Sequence, residues 1–267
     1  MWSTVKQRWH SAVALGAIGL LGLSGCGQNS SEEAAAIEAG QMPTYQVAVD
    51  ATYAPFEYQN EKGEIVGFSK DLLQAIADEV GVKLVFTSSP WEGIFATLAR
   101  GDSDIVLASV TITPEREEVM SFSEPYFEAT QMIAVAEGNT DIQGLADLKD
   151  QTVSVQTGTT GDLVMQELQG KTSTLIKRLD SLPLALKELM AGGVTATVGD
   201  NGVVQNFITH NPDAKMRTLV DQDFETEDYG FAVKLGRQEL VDQLNAGLQT
   251  IRDNGKYDEI HRAWFKD

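Results

Sequence analysis

The sequence predicts an α/β protein. From Tyr45 onward short β-rich runs alternate with segments of helical period, the pattern of strands covered by helices in two packed layers. Stop and start residues stand at the junctions, Gly81 after one periodic segment and Thr113 with Pro114 before another, as a left-handed C-terminal stop and an N-cap with proline in the first turn. A length of 267 residues, 42% hydrophobic and 22% charged, suffices for one large domain or two modest ones.

Taken in order, 46–50 predicts a strand. The stretch 69–80 predicts an amphipathic helix with Leu72, Leu73, Ile76, Ala77 and Val80 on its inner face. A strand over 82–87, a helix over 91–99 and a buried strand over 104–108 follow, and Thr113 opens the next helix. After Phe122 the alternation restarts with strand 131–136, a short helix at 144–149, strand 152–155, helix 160–169, strand 174–178, helix 181–190 and strand 194–198. A helix begins near Gly202, 230–233 is a further strand, and helices over 237–253 and 257–265 close the chain.

The formal net charge of −19 repels phosphate backbones and anionic surfaces, which excludes nucleic acid as a partner. With one cysteine, Cys26, and three histidines, of which His10 lies near the N-terminus, the chain offers no disulfide framework, Cys-His zinc site or Cys-His nucleophile pair. No metal or cofactor is expected.

Lys6 and Arg8 precede an apolar run from Ala12 to Leu23, the pattern of a secretory signal, too short and glycine-rich for a lasting membrane span. The run ends in Leu23, Ser24, Gly25 and Cys26, which resembles the bacterial lipobox. That resemblance implies a signal peptide over 1–25, acylation of Cys26 and a lipid-held tether over 26–44, with the folded body outside the cytoplasm.

Four segments resemble the family 3 amino-acid-binding proteins of ABC importers, the group containing glutamine-, histidine- and lysine/arginine/ornithine-binding proteins. They are Val49 to Glu57, Gly67 to Leu72, Trp91 to Ile94, and Thr111 to Arg116 continuing through Phe122 to Tyr126. Gln156 to Thr160, Gly199 with Asp200, and Asn254 to Ile260 extend the resemblance over nearly all of 45–267. It implies a two-lobed periplasmic-binding-protein (Venus flytrap) fold, each lobe a mixed, mostly parallel sheet flanked by helices. Lobe 1 takes 45–128 and 229–267, lobe 2 takes 129–228, and two strands cross between them near 126–130 and 227–230. The partners implied are a permease and an ATPase, and the chain is expected to be a monomer and not an enzyme.

Arg116 stands at the third helical position after Thr113, where the helix dipole disfavours a cation. By residue type it is equally a surface ion-pair partner of Glu115 or Glu118, whereas the resemblance makes it the bidentate holder of a ligand α-carboxylate. Thr159 and Thr160 open helix 160–169, whose N-terminal N–H groups suit the same anion. Asp200 reads either as an N-cap or, by resemblance, as the grip on the α-ammonium, helped by Thr111 and the backbone at Ser109. Tyr53 and Trp91 match aromatic positions that sandwich a ligand side chain, or they are half-buried core aromatics. Asp50 ends the first strand and points by resemblance to the far end of the pocket. Glutamine-binding relatives carry a lysine where this chain has Gln156 and a histidine where it has Gly199. Asp50 without that lysine favours a basic amino acid, arginine before lysine, with glutamine or another polar amino acid as the alternative. A further alternative is an extracytoplasmic dehydratase using a cleft carboxylate such as Glu57 or Glu128 as general acid.

Overall fold

The computed structural model describes residues 42–265. The expected signal peptide, the expected lipobox at Cys26 and all but the end of the expected tether lie outside the described residues. The strands are β1 (Thr44–Val49), β2 (Thr52–Tyr53), β3 (Glu57–Gln59), β4 (Ile65–Val66), β5 (Lys83–Ser88), β6 (Ile105–Thr111), β7 (Met120–Phe122), β8 (Phe127–Ala136), β9 (Val153–Gln156), β10 (Ile176–Leu179), β11 (Ala196–Asp200), β12 (Met216–Leu219) and β13 (Thr226–Lys234). The helices are α1 (Phe68–Val80), α2 (Ile94–Arg100), α3 (Pro114–Glu117), α4 (Thr160–Gln169), α5 (Leu182–Met190), α6 (Asn201–His210), α7 (Gln238–Asp253) and α8 (Lys256–Trp264).

Local chemistry sets these boundaries. Gly81 adopts the left-handed conformation that ends α1, and the hydroxyls of Thr113, Thr159 and Ser181 accept N–H bonds at the starts of α3, α4 and α5. Each such cap satisfies a backbone donor that the first helical turn leaves free. The expected short helix at 144–149 is a single 3₁₀ turn, Leu145–Leu148.

The main sheet runs β10-β9-β11-β8-β13-β6-β1-β5, with β12 also on β8 and β7 also on β13. β1 lies parallel between β5 and β6, and β9 parallel between β10 and β11. These two parallel groups are joined by β8 and β13, antiparallel from Thr130 opposite Thr226 to Phe127 opposite Tyr229. Beyond that pairing each strand serves one half only, β8 with β11 and β12, β13 with β6 and β7. The segments 126–130 and 227–230 fall on this pairing of two long strands. Separately, β2, β3 and β4 form a small antiparallel sheet beside α1.

At the root of the crossing sits a block of buried aromatic rings. Phe56, Phe68, Tyr126, Tyr229 and Phe231 are each at most 1% exposed, and the rings of Tyr126 and Phe231 stack 4.3 Å apart. The far half has its own apolar layer of Ile133, Val135, Val153, Val155, Met165 and Val198. Among the described residues no helix is long and apolar enough to cross a membrane, and no cluster of His, Cys, Asp and Glu could hold a metal ion.

Candidate functional site

Between the two halves lies a narrow cavity of about 10 Å³, room for roughly one water molecule. Its lining consists of Asp50, Tyr53, Trp91, Ala108, Ser109, Thr111, Arg116, Gln156, Thr159, Thr160 and Asp200. All ten ligand-site residues expected from the sequence are in that set. Asp50, Gln156 and Asp200 stand at the C-terminal ends of β1, β9 and β11, the edge of an α/β sheet where ligands ordinarily bind.

The two walls touch. Tyr53 donates its hydroxyl to Asp200 Oδ2 at 2.7 Å, and Gln156 Nε2 donates to Asp50 Oδ2 at 3.3 Å. Asp200 is 5% exposed and also accepts from Gln131 Nε2 at 2.6 Å and from the hydroxyl of Tyr229. Burial first, and then the charge of Asp200, push both tyrosines well above the usual phenol range, so they act as neutral donors. Asp200 occupies the N-cap position of α6, yet its side chain makes no capping bond; the N-cap alternative is set aside by where its oxygens point.

Arg116 is not engaged as a simple surface pair. Its Nη1 donates to the carbonyl of Thr111 at 2.8 Å, and its guanidinium lies over the rings of Trp91 and Phe95, 5.4 and 5.7 Å from their centroids. Burial lowers its pKa, while Asp200 and Glu227 pull it back up. Trp91 therefore faces the arginine, and the hydroxyl of Tyr53 faces the acid. The loop before α4 is braced from behind. Arg178 Nε reaches Asp162 Oδ1 at 2.9 Å, and Asp162 Oδ2 accepts from the N–H of Gly158 at 2.9 Å.

Asp50 accepts from Thr52 Oγ1 at 2.9 Å as well as from Gln156. Burial raises its carboxyl, and these two bonds lower it. Gln156 is itself fixed by accepting the N–H of Leu182 at 3.2 Å. Beside it, a Cβ added to Gly199 would lie 2.4 Å from Leu182 Cδ1, so this position has no room for a larger side chain unless Leu182 moves.

The model of the bacterial extracellular solute-binding proteins, family 3, matches residues 45–267. The chain belongs to that family. It is 39% identical over 260 residues to a probable histidine-binding protein of Neisseria gonorrhoeae, covering 97% of this chain and 96% of the relative. Among solved structures it resembles the arginine-, lysine-, histidine-binding protein ArtJ of Geobacillus stearothermophilus, with TM-score 0.80 and 36% identity over 84% of this chain and 96% of that one. It also resembles an ancestral arginine-binding protein bound to arginine, with TM-score 0.79 and 39% identity over 83% and 98% of the two chains. The fold of this solute-binding protein is the two-lobed one of these neighbours.

Sequence reasoning did not find Gln131, Tyr229 and Glu227, which surround Asp200 and Thr160 from β8 and β13. Of the two carboxylates considered as general acids, neither lines the cavity. Glu128 is exposed on β8. Glu57 is fully buried behind Ser109, whose hydroxyl lies 3.1 Å from Glu57 Oε2. Ser109 itself has a positive φ of 44°, an uncommon conformation for a non-glycine residue that surrounding contacts must hold in place.

Burial pushes the Glu57 carboxyl well above the usual range, against the hydrogen bonds of Ser109 and Ser69 and with the help of Asp50. The folded protein keeps this proton above the pH, about 4.3, at which the unfolded chain releases it. The stability contribution of Glu57 is thus complete below that pH and is lost as the pH rises toward the folded value. Glu57→Gln, a neutral side chain of the same shape, should gain stability relative to wild type by up to about 1.4 kcal/mol per pH unit between pH 5 and 7. Denaturant melts across that range test it, and parallel wild-type and variant curves would show that Glu57 is ionised in the folded protein.

Proposed function

We propose that this chain is the substrate-binding subunit of an ABC importer for amino acids, taking arginine before lysine and other polar amino acids. The observation that carries the reading is the charge pattern of the cavity. Among the described residues that line it, Arg116 is the one cation, while Asp50 and Asp200 are anions. An α-carboxylate pairs with Arg116, an α-ammonium with Asp200, and a second cation at the end of the side chain with Asp50. A basic amino acid carries one negative and two positive charges, so each charged side chain lining the cavity would meet an opposite charge on the ligand. Support for the amino-acid class comes from the names of relatives, one a probable histidine-binding protein and another an arginine-, lysine-, histidine-binding protein. Glutamine is the second reading, because the Gln156 amide already hydrogen-bonds Asp50 and could do the same for a ligand amide.

Lobe 1 then comprises 45–128 with 229–267, and lobe 2 comprises 129–228. The cavity is too small for an amino acid as it stands, so the walls part for entry and close on a ligand that contacts both. Such a ligand shifts the population by its differential affinity alone, and a change from 1:99 to 99:1 takes about 5.5 kcal/mol. The protein works as a monomer, delivering its ligand to a permease and ATPase, and stays at the outer face of a membrane through a lipid on Cys26.

Titration of wild type and Asp50→Asn with arginine, lysine, histidine and glutamine tests the ligand choice. The variant should lose arginine affinity at least tenfold, about 1.4 kcal/mol, and change little toward glutamine. Tight glutamine binding by wild type with no arginine response would refute the preference, and fatty-acid labelling that survives Cys26→Ala would refute the anchor.

A further inference from the structure

Strand β13 brings a carboxylate to the cavity from behind, outside the lining. Glu227 pairs with Ala129 of β8, inside the segment that joins the two halves. Its Oε2 accepts the hydroxyl of Thr111 at 2.8 Å and the hydroxyl of Thr160 at 2.8 Å. Its Oε1 accepts from Gln131 Nε2 at 3.0 Å, and the same nitrogen reaches Asp200 Oδ1 at 2.6 Å.

Thr111 ends β6 in the half built on β1, and Thr160 opens α4 in the other half. One carboxylate oxygen therefore fastens the two walls together, and its twin sets the side chain that orients Asp200. We propose that Glu227 is a positioning residue for ligand capture, a latch that holds Thr111 and Thr160 at the spacing of the closed state. The inference rests on the reading that Thr111, Thr160 and Asp200 hold an amino acid.

The physical basis is the strength of hydroxyl-to-carboxylate bonds, which exceed neutral ones because the acceptor is charged. Both threonine bonds to a single oxygen can form only while the walls are close. When they part, at least one threonine must exchange Glu227 for water. Without Glu227 the closed form loses that advantage while each lobe keeps its own core, so the effect falls on closure and on ligand release.

The experiment uses the full chain and compares wild type, Glu227→Ala, Glu227→Gln, Thr111→Val and the Glu227→Ala/Thr111→Val double variant. L-Arginine and L-glutamine are the probes, read by calorimetry and stopped-flow release, and small-angle scattering reports the dimensions of the ligand-free protein. Glu227→Ala should release ligand about tenfold faster, the loss of one or two charge-assisted bonds, and should scatter as a more open particle. Glu227→Gln, which keeps a carbonyl acceptor, should fall between it and wild type. The double variant should cost less than the two single changes together, since Thr111 has no latch left to lose. A merely structural role would lower the melting temperature without opening the particle. Unchanged release and scattering, or tighter binding in Glu227→Ala, would overturn the latch. If wild type binds neither probe the functional reading fails on its own, and scattering of the ligand-free variants still decides whether Glu227 holds the lobes closed.

Discussion

Arg116→Ala should lose amino-acid binding by about three orders of magnitude while the ligand-free protein melts within a few degrees of wild type. Removing one partner of a buried charge pair costs about 3–5 kcal/mol, because the other charge is left desolvated and unmatched. Here the unmatched charge would belong to the ligand. The protein itself loses little. Arg116 hydrogen-bonds the Thr111 carbonyl and covers the faces of Trp91 and Phe95, and the burial that works against its charge outweighs the attraction of Asp200 and Glu227. Arg116→Lys should recover only a small part of the affinity, since an ammonium cannot present two parallel donors and covers less of the aromatic faces. Calorimetry for binding and thermal shift for the fold separate the two effects. An Arg116→Ala protein that binds within threefold of wild type would show that the carboxylate lies elsewhere.

What was legible in the sequence, and what was not, divides along range of interaction. Helices α1 and α7 announce themselves because their apolar residues recur on one face, and α4 begins at Thr160 as expected because Thr159 caps it locally. The site residues were legible through the resemblance to family 3, whose motifs occupy short contiguous segments at strand ends and helix starts; residue type and local pattern alone left the alternatives open. β2 and β4 span two residues each, too short for an alternation to show. β8 and β13 begin at Phe127 and Thr226, earlier than the expected 131 and 230. Their opening residues include Glu128, Glu227 and Asp228, polar because this stretch of the ladder is partly open to water. The same polarity concealed Glu227. Its partners Thr111 and Thr160 are 116 and 67 positions away in the chain, so nothing near it in sequence marks it. Gln131 looks like an ordinary strand residue until Asp200, 69 positions later, comes beside it.

Asp200→Ser should abolish binding as thoroughly as Arg116→Ala, and the choice of serine makes the result decisive. Serine is as good an N-cap as aspartate, so if Asp200 served mainly to start α6 the variant would be close to wild type. The side chain makes no capping bond, however, and its two oxygens take the hydroxyls of Tyr53 and Tyr229 and the amide of Gln131. Serine is too short to satisfy all three. Buried donors without acceptors cost about 1–3 kcal/mol each, so the ligand-free variant should also lose stability, by an amount that water entering the widened cavity reduces. Asp200→Asn separates charge from shape. It keeps an oxygen for one or two of these donors and should be the more stable of the two variants, yet it offers no anion to an α-ammonium and should bind about 3–5 kcal/mol more weakly than wild type. Binding measured beside denaturant melts resolves the pair of outcomes. If Asp200→Ser keeps wild-type affinity, the ammonium is not held by Asp200 and the amino acid must lie in the cavity in a different orientation.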